Sequence, residues 1–220
     1  LDAVQFLTGN PGHLDAGGWR TALYRGGAGA PVLLVHGASV AVDARLTWFR
    51  VAPRLAAGHS VIAYDQPGFG RSAMPGAGAY PDRLERAEHA AALVERLDLR
   101  DLTVIGHSEG GFVAAMLALL QPARVARAVI VASGGAAPRL GGERDAAWQA
   151  AARAAYDYPA RTVDEDTFAR TEGFLRERAD PEFEALLRAN FRAARASGNL
   201  SMFLAKARRS PGYEDYTALQ

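Results

Sequence analysis

Short apolar runs alternate with helix-like patterns along the first 133 residues of the chain. The runs at 31–35, 61–64, 102–105 and 128–131 are almost entirely apolar, which is typical of strands that are covered on both faces. Patterns of helical period separate these runs. The alternation predicts an α/β fold, with a mainly parallel sheet and helices on both of its faces.

The clearest helix is predicted over 82–97, where acidic residues near the start precede an amphipathic pattern. Its apolar face consists of Leu84, Ala87, Ala91, Val94 and Leu97. Further helices are predicted over 48–56 and, with a nearly all-apolar sequence, over 112–120. At the N-terminal end, segments 4–8 and 19–24 predict an antiparallel pair of strands separated by Gly-rich turns.

The chain changes character after Ser133. Residues 134–220 contain no convincing strand but several amphipathic helical patterns. One of these helices is predicted to begin with Asp180 as its N-cap and Pro181 in its first turn. Its apolar face consists of Phe183, Leu186, Leu187 and Phe191. We therefore predict two units, an α/β core over 1–133 and a helical cap over 134–220.

Charge and residue inventory exclude several classes of protein. The formal net charge of +1 gives no long-range field that would attract nucleic acid or an anionic membrane. The absence of cysteine excludes disulfides, zinc-thiolate sites and cysteine nucleophiles. No segment has the roughly 18 consecutive apolar residues of a membrane span, and residues 1–10 lack the features of a secretory signal. We expect a cytoplasmic protein with a small-molecule partner and with no metal or cofactor.

The strongest candidate for chemistry is the segment Gly106-His107-Ser108-Glu109-Gly110, which matches the G-x-S-x-G nucleophile elbow. In this motif the serine sits on a strained turn from strand to helix, and the glycines allow a close approach of the backbone. The N-terminus of the following helix offers its dipole and a free N–H to a developing oxyanion. Here the motif follows an apolar strand and opens an apolar helix, so we predict that Ser108 is a nucleophile.

Two segments upstream agree with this prediction. His36-Gly37 follows the run at 31–35, and we expect the backbone N–H of Ala38 to lie opposite that of Glu109 as the second donor of an oxyanion hole. We interpret His36 itself as a structural residue, because this loop would contribute a backbone amide. Segment 65–72, Asp-Gln-Pro-Gly-Phe-Gly-Arg-Ser, is interpreted as a structural turn without a catalytic role for Asp65.

Two interpretations of the Glu109 side chain are open. A partly buried carboxyl group beside the nucleophile would have a raised pKa and could donate a hydrogen bond. In the interpretation that we favour, the side chain turns away into a polar contact, and only the backbone N–H takes part in the chemistry.

Together, His-Gly at 36–37, Asp-x-Pro-Gly-x-Gly-x-Ser at 65–72 and Gly-His-Ser-Glu-Gly-Gly at 106–111 resemble the α/β-hydrolase family. The resemblance extends over the whole chain and implies a cofactor-independent serine hydrolase, with the helical block in the place of that family's cap. Within the cap, Tyr156-Asp157 followed by Val163-Asp164-Glu165 and an aromatic helix is similar to the meta-cleavage product hydrolases. Those enzymes cut carbon–carbon bonds in vinylogous 1,5-diketones from aromatic-ring degradation.

The resemblance also indicates substrate-binding residues, for which Ser39, His107 and Arg170 are the candidates. Arg170 lies near the position at which that subfamily places an arginine for the substrate carboxylate, although alignment puts Thr171 there. The subfamily usually has His-Gly-x-Gly-Pro-Gly-Ala and Gly-Asn-Ser-Met-Gly-Gly at the two motifs, and this chain differs at both. The aromatic residues of the cap favour an apolar acyl or aryl substrate: Trp148, Tyr156, Phe168, Phe174, Phe191 and Phe203.

The histidine of the expected catalytic triad is not evident. In this family the triad residues follow the order Ser, Asp or Glu, His along the chain. All five histidines of this chain lie before Ser108. His107 lies on the same tight turn as Ser108 and would therefore be a poor general base for it. We expect the acid and the histidine beyond Gln220, on a segment of roughly 50 to 80 residues with two further strands. Without that segment, the strand at 128–131 becomes a sheet edge that could pair with a second copy in a homodimer.

Three functions stay open on this basis. The first is carbon–carbon bond hydrolysis, and the second is ester or lactone hydrolysis with the same machinery. The third is a non-hydrolytic biosynthetic or ligand-binding role on the same scaffold. A serine at the elbow excludes a dehalogenase or epoxide hydrolase with an aspartate nucleophile.

Overall fold

The computed structural model describes residues 9–39, 41–76, 81–133, 136, 141–156, 164–173 and 178–209. Six strands in this part of the chain form one sheet, in the order β1-β2-β4-β3-β5-β6. They are β1 Gly12–Ala16, β2 Trp19–Gly26, β3 Ala30–Val35, β4 His59–Tyr64, β5 Leu102–His107 and β6 Val125–Val131. The pairs that join β3 to β4, β3 to β5 and β5 to β6 are parallel, whereas β1 and β2 are antiparallel to their neighbours. The predicted α/β class is confirmed.

The N-terminal hairpin differs from the sequence prediction. Strand β2 pairs with β1 at 12–16, and the predicted partner at 4–8 lies outside the described residues. Gly17 and Gly18 join the two strands with φ of 53° and 81°, which suits the two-residue turn of a hairpin. The sequence of β1, Gly-His-Leu-Asp-Ala, contains no β-branched residue, so the apolar pattern alone does not single it out.

Helices follow the strands in the order that the pattern predicts. They are α1 Ala44–Trp48, α2 Ala52–Leu55, α3 Arg83–Arg96, α4 Glu109–Leu120, α5 Glu143–Tyr156, α6 Glu165–Gly173, α7 Pro181–Ala196 and α8 Asn199–Arg209. The single helix predicted over 48–56 is wrong, because the chain forms α1 and α2 with a break at 49–51. Pro53 lies in the first turn of α2, where its missing N–H costs nothing.

Helix α3 begins where the sequence predicts and buries Ala87, Ala91 and Val94 of its predicted apolar face, but not Leu84. Asp82 accepts hydrogen bonds from the backbone N–H groups of Leu84 and Glu85, and the Glu85 carboxylate accepts from Asp82 N–H, which completes a capping box. Leu84, predicted on the apolar face, is 49% exposed, whereas Arg86 is 3% exposed. A charged side chain therefore occupies a core position of this helix.

The sheet has a hydrophobic core on each face. On one face, α3 and α4 pack on the strands around Leu33, Leu93 and Leu117. On the other face, α1 and α2 pack around Leu34 and Trp48. A sheet that is covered in this way on both faces carries its site at the carboxyl ends of the parallel strands.

Helix α7 packs against α6, α8 and α1. Asp180 caps α7, and Phe183, Leu187 and Phe191 of that helix are buried as predicted. The Phe168 ring of α6 stacks on Phe191 at 5.1 Å between centroids. Phe183 and Phe49 stack at 6.3 Å and join this helical layer to the loop after α1. The unit boundary at 133 stays a prediction.

Strand β6 is the last strand of the described sheet, as the sequence predicts for this part of the chain. The side chains of Val129, Ile130 and Val131 are each more than 40% exposed. Leu119 and Leu120, at the end of the neighbouring helix α4, are also exposed. The described part of the chain thus ends its sheet with an apolar, uncovered strand.

Candidate active site

The backbone at Ser108 has the geometry of a nucleophile elbow. Ser108 lies between the last residue of β5 and the first residue of α4, with φ 54° and ψ −126°. A non-glycine residue with positive φ is strained. The surrounding turn holds it there, because Ser108 N–H donates to the Val131 carbonyl and its own carbonyl accepts from Gly111 N–H, both at 2.9 Å.

The glycines of the motif are required by close backbone contacts. A Cβ at Gly106 would collide with the carbonyl oxygen of Gly110. A Cβ at Gly110 would collide with the carbonyl oxygens of Val35 and His36 at the end of β3. The spacing of two glycines around the serine therefore lets the elbow fold on itself and against the neighbouring strand.

The loop after β3 passes directly beside Ser108. A Cβ built on Gly37 would lie 2.9 Å from Ser108 Cβ and 3.4 Å from its Oγ. Ala38 follows Gly37, and Glu109 follows Ser108, so the fold brings both predicted oxyanion donors to the nucleophile. Their roles as donors stay predictions.

His36 is held as a neutral, buried side chain in this loop. Its Nδ1–H donates to the Gly37 carbonyl at 2.6 Å, and its Nε2 accepts from Gln66 N–H at 2.9 Å. The Phe69 ring packs against it edge-on at 5.2 Å between centroids. Burial lowers the pKa of His36 to about 3. With both ring nitrogens engaged in fixing the loop, His36 has the geometry of a structural histidine.

Asp65 organises the turn after β4. Its carboxyl oxygens accept from Ala44 N–H and Arg71 N–H, each at 2.9 Å, and from the Tyr24 hydroxyl at 3.1 Å. Burial, and then the nearby Asp43, raise the pKa of Asp65 to about 7. This carboxyl group is occupied by contacts that fix the turn and α1, in agreement with the structural interpretation of 65–72.

The three predicted substrate-binding residues have different environments. Ser39 Oγ donates to Oε1 of Glu172 on α6 at 2.8 Å. His107 is partly buried and lies edge-on to Trp48, with ring centroids 6.5 Å apart. Arg170 is exposed and donates to Thr167 Oγ1 at 3.1 Å on its own helix. His107 belongs to the elbow, Ser39 follows the loop residue Gly37 that lies beside Ser108, and Arg170 lies on an exposed face of α6.

The sequence did not identify Arg86 as a partner of the elbow residue Glu109. Its guanidinium forms an ion pair with the Glu109 carboxylate, and the two side chains are 4% and 19% exposed. Glu109 therefore turns its carboxylate into a polar contact, which is the interpretation favoured from sequence. A possible signal was present, because Arg86 precedes Ala90 and Leu93 by four and seven residues on the buried face of α3.

Glu172 is the second residue that sequence reasoning missed. It is 9% exposed and shares the inner face of α6 with Phe168 and Ala169. Its bond to Ser39 joins a helix after Ser133 to the loop beside the nucleophile. The period of four residues from Phe168 would have placed Glu172 on this face.

The described residues contain no group of three or more histidine, cysteine, aspartate or glutamate side chains arranged to hold a metal ion. No helix in the described part of the chain is both long and apolar enough to cross a membrane.

Fold and elbow together define the class of protein. The sequence matches the model of the alpha/beta hydrolase fold family over residues 30–214. The chain belongs to the α/β-hydrolase family.

Two curated relatives are similar over part of the chain. The 2-hydroxymuconate semialdehyde hydrolase of Pseudomonas sp. (strain CF600) is 37% identical over 133 residues, which are 60% of this chain and 47% of that protein. The 2-hydroxy-6-oxo-2,4-heptadienoate hydrolase of Pseudomonas putida F1 is 36% identical over 133 residues, 60% of this chain and 48% of that protein. The chain thus spans about half the length of these curated relatives.

A solved structure shares the fold over a longer stretch. The meta-cleavage product hydrolase of Pseudomonas fluorescens IP01 superposes with a TM-score of 0.72 at 23% identity. The match covers 89% of this chain and 68% of that one.

Proposed function

We propose that this protein is a cofactor-independent serine hydrolase that acts on a carbonyl substrate with an apolar acyl or aryl group. The observation that carries the proposal is the backbone of Ser108, strained at φ 54° on a strand-to-helix turn beside Gly37. Strain of this kind persists where the surrounding structure enforces it, and it is concentrated at functional sites. It presents the serine hydroxyl at the carboxyl end of a central parallel strand, where sites of open α/β sheets lie.

The proposed reaction begins with attack of Ser108 Oγ on the substrate carbonyl carbon. A general base takes the hydroxyl proton as the new C–O bond forms, and the carbonyl oxygen becomes an oxyanion. The backbone N–H groups of Ala38 and Glu109 stabilise that charge, helped by the dipole of α4. Collapse of the intermediate expels the leaving group with the proton from the base, and water then releases the acyl group.

The base is a histidine other than those described near the site. His36 and His89 are buried, and burial lowers the pKa of His89 to about 4. His89 Nε2 forms a hydrogen bond with Thr21 Oγ1 at 2.8 Å. His107 lies within the elbow itself, one residue from the nucleophile on the same tight turn, and is a poor general base for Ser108. The proposal therefore requires a further histidine, and its tests use the whole encoded protein.

Hydrolysis of a carbon–carbon bond is the first candidate reaction. Two curated relatives carry names of hydrolases of this type, and each is similar over 133 residues of this chain. The proposed substrate is a vinylogous 1,5-diketone of the kind that aromatic-ring cleavage produces. The proposed cap, 134–220, would then select the apolar end of that substrate through its aromatic side chains.

Ester or lactone hydrolysis is the second candidate, and one observation favours it. The inner face of α6 presents Glu172 to the loop beside Ser108, whereas Arg170 is exposed. A carboxylate at this place suits a neutral substrate better than it suits a dienoate carboxylate.

The experiment is turnover by the whole encoded protein and by its Ser108→Ala variant. Both proteins receive a ring-cleavage dienoate and a 4-nitrophenyl ester. Loss of the nucleophile should lower kcat on the order of 10⁶-fold without unfolding the protein. The control is Ser197→Ala, which removes a hydroxyl in the turn after α7. Wild-type turnover by Ser108→Ala would refute the proposal, and ligand binding without turnover by the wild type would favour the non-hydrolytic alternative.

A further inference from the structure

A buried cation lies directly behind the elbow. Arg86, in the first turn of α3, is 3% exposed, and its guanidinium lies 5.7 Å from the centroid of the Phe69 ring. Its ion pair with Glu109 links the start of α3 to the first residue of α4. This is the residue that immediately follows the nucleophile.

The pair is not required to hold the two helices together. Apolar residues of α3 and α4 already pack in one core on this face of the sheet, among them Leu93, Val113 and Leu117. Taking two charges out of water is costly, and a buried ion pair can often be replaced by apolar residues without loss of stability. Its placement beside Ser108 therefore calls for a reason other than helix packing.

The contact acts on a residue whose backbone N–H is proposed to take part in the chemistry. Glu109 N–H is a proposed oxyanion donor, and it adjoins the strained peptide of Ser108. Fixing the Glu109 side chain to α3 restricts rotation at the start of α4 and so fixes the direction of that N–H. A donor that is aligned in advance needs no reorganisation as the oxyanion forms.

The guanidinium also balances a charge that would oppose catalysis. A carboxylate next to an oxyanion repels it, and the repulsion is strong in a partly buried site. Arg86 neutralises Glu109 at the place where negative charge develops. We propose that Arg86 is a positioning residue of the oxyanion hole, which holds and neutralises Glu109 so that the Glu109 N–H can serve the oxyanion. This inference rests on the proposed serine hydrolase function.

Four variants of the whole encoded protein separate this role from a structural one. Arg86→Leu leaves the negative charge of Glu109 uncompensated. Arg86→Lys keeps a positive charge at position 86 but lacks the planar guanidinium group, which can donate two parallel hydrogen bonds. Glu109→Met removes the carboxylate, and Arg86→Leu with Glu109→Met removes the whole pair. Far-UV circular dichroism establishes that each variant is folded before kinetics are measured.

Arg86→Leu should lower kcat for a 4-nitrophenyl ester at least tenfold while KM changes less than threefold. The inhibition constant of phenylboronic acid, which forms a tetrahedral adduct with a serine, should rise by a similar factor. Arg86→Lys should retain more of kcat than Arg86→Leu. The double variant should recover part of the lost kcat, because it removes the repelling carboxylate but does not restore the contact that holds the Glu109 side chain.

A folded Arg86→Leu variant with wild-type kcat and wild-type phenylboronic acid affinity would overturn the inference. So would a double variant that is no more active than Arg86→Leu. If the wild type shows no turnover that depends on Ser108, the proposed function fails instead. The inference is then decided by the NMR order parameter of the Glu109 N–H, which should fall in Arg86→Leu and must not fall if Arg86 has no positioning role.

Discussion

The hydroxyl of Ser39 donates a 2.8 Å hydrogen bond to Oε1 of Glu172, so the loop beside the nucleophile is tied to helix α6. Ser39 follows Ala38, the proposed oxyanion donor. Asn190 of α7 donates to the Ala41 carbonyl at 3.2 Å, and thus holds the same loop from a second helix. The helices after Ser133 therefore contact the backbone on which the proposed chemistry depends.

Breaking the Ser39–Glu172 bond should cost stability and activity together. Glu172→Ala removes the acceptor, and we expect a loss of about 1 kcal/mol in the free energy of unfolding and a several-fold fall in kcat/KM. Glu172→Gln keeps an acceptor oxygen and serves as the matched control. Urea denaturation of both variants, with Ser39→Ala to complete a double-mutant cycle, measures the coupling. A coupling energy of zero would show that the bond does not contribute.

The same carboxylate distinguishes the two candidate reactions. Glu172→Gln removes a negative charge near the site and should raise kcat/KM for an anionic dienoate more than for a neutral 4-nitrophenyl ester. The comparison is a ratio of two kcat/KM values in one variant, so a general loss of activity cancels. An unchanged ratio would mean that Glu172 does not affect the choice between these substrates.

Ser108 is expected to be a residue that reduces stability. Its φ of 54° is strained for any residue with a Cβ, and such strain costs on the order of 1–3 kcal/mol. Ser108→Gly should therefore raise the free energy of unfolding by about 1 kcal/mol while it abolishes turnover. The control is Ser108→Ala, which removes the hydroxyl but keeps the Cβ and should not gain this stability. Equal stability of the two variants would argue against strain at the elbow.

His36 should make the protein sensitive to acid. Its pKa is lowered to about 3 in the folded state, against an ordinary value of 6.5. Between these values the unfolded chain binds a proton that the folded protein does not bind. This contribution to stability is therefore present above pH 6.5 and is lost as the pH falls towards 3.

The size of the His36 effect is on the order of 3 kcal/mol between pH 7 and pH 4. His36→Asn should be less stable at pH 7, because it loses packing against Phe69. Its free energy of unfolding should, however, fall less steeply as the pH is lowered. Urea denaturation at several pH values measures the slope, and His13→Asn, at an exposed position, is the control. His89, whose pKa is also lowered by burial, should preserve part of the acid sensitivity. If the free energy of unfolding of His36→Asn fell as steeply with decreasing pH as that of the wild type, His36 would not be the cause of the acid sensitivity.

The exposed edge at β6 should make the 220-residue chain self-associate. Val129, Ile130 and Val131 are each more than 40% exposed at the end of β6, and none of these three is charged or a proline. Uncovered apolar edge strands pair with other chains. Ile130→Lys should shift the sedimentation profile towards monomer, whereas Arg127→Lys on the same strand keeps its charge and should not. A monomeric 220-residue chain would contradict this prediction.

The sequence by itself determined the parts of this protein that depend on local chemistry. The glycine spacing around Ser108 identified the elbow, because only glycine permits the backbone contacts of that turn. The caps at Asp82 and Asp180 located two helices, since a side-chain oxygen at the N-cap satisfies a backbone N–H of the first turn. Continuous apolar runs located the buried strands.

Only the tertiary structure decided the contacts between distant segments. The pairings Arg86–Glu109 and Ser39–Glu172 join residues 23 and 133 positions apart, and no local pattern specifies such a partner. The burial of Arg86 and the exposure of Leu84 depend on what packs against α3. The hydrophobic periodicity of the helix does not determine this. The choice of Gly12–Ala16 as the partner of β2 likewise follows from sheet hydrogen bonding across a glycine turn and not from the apolarity of that segment.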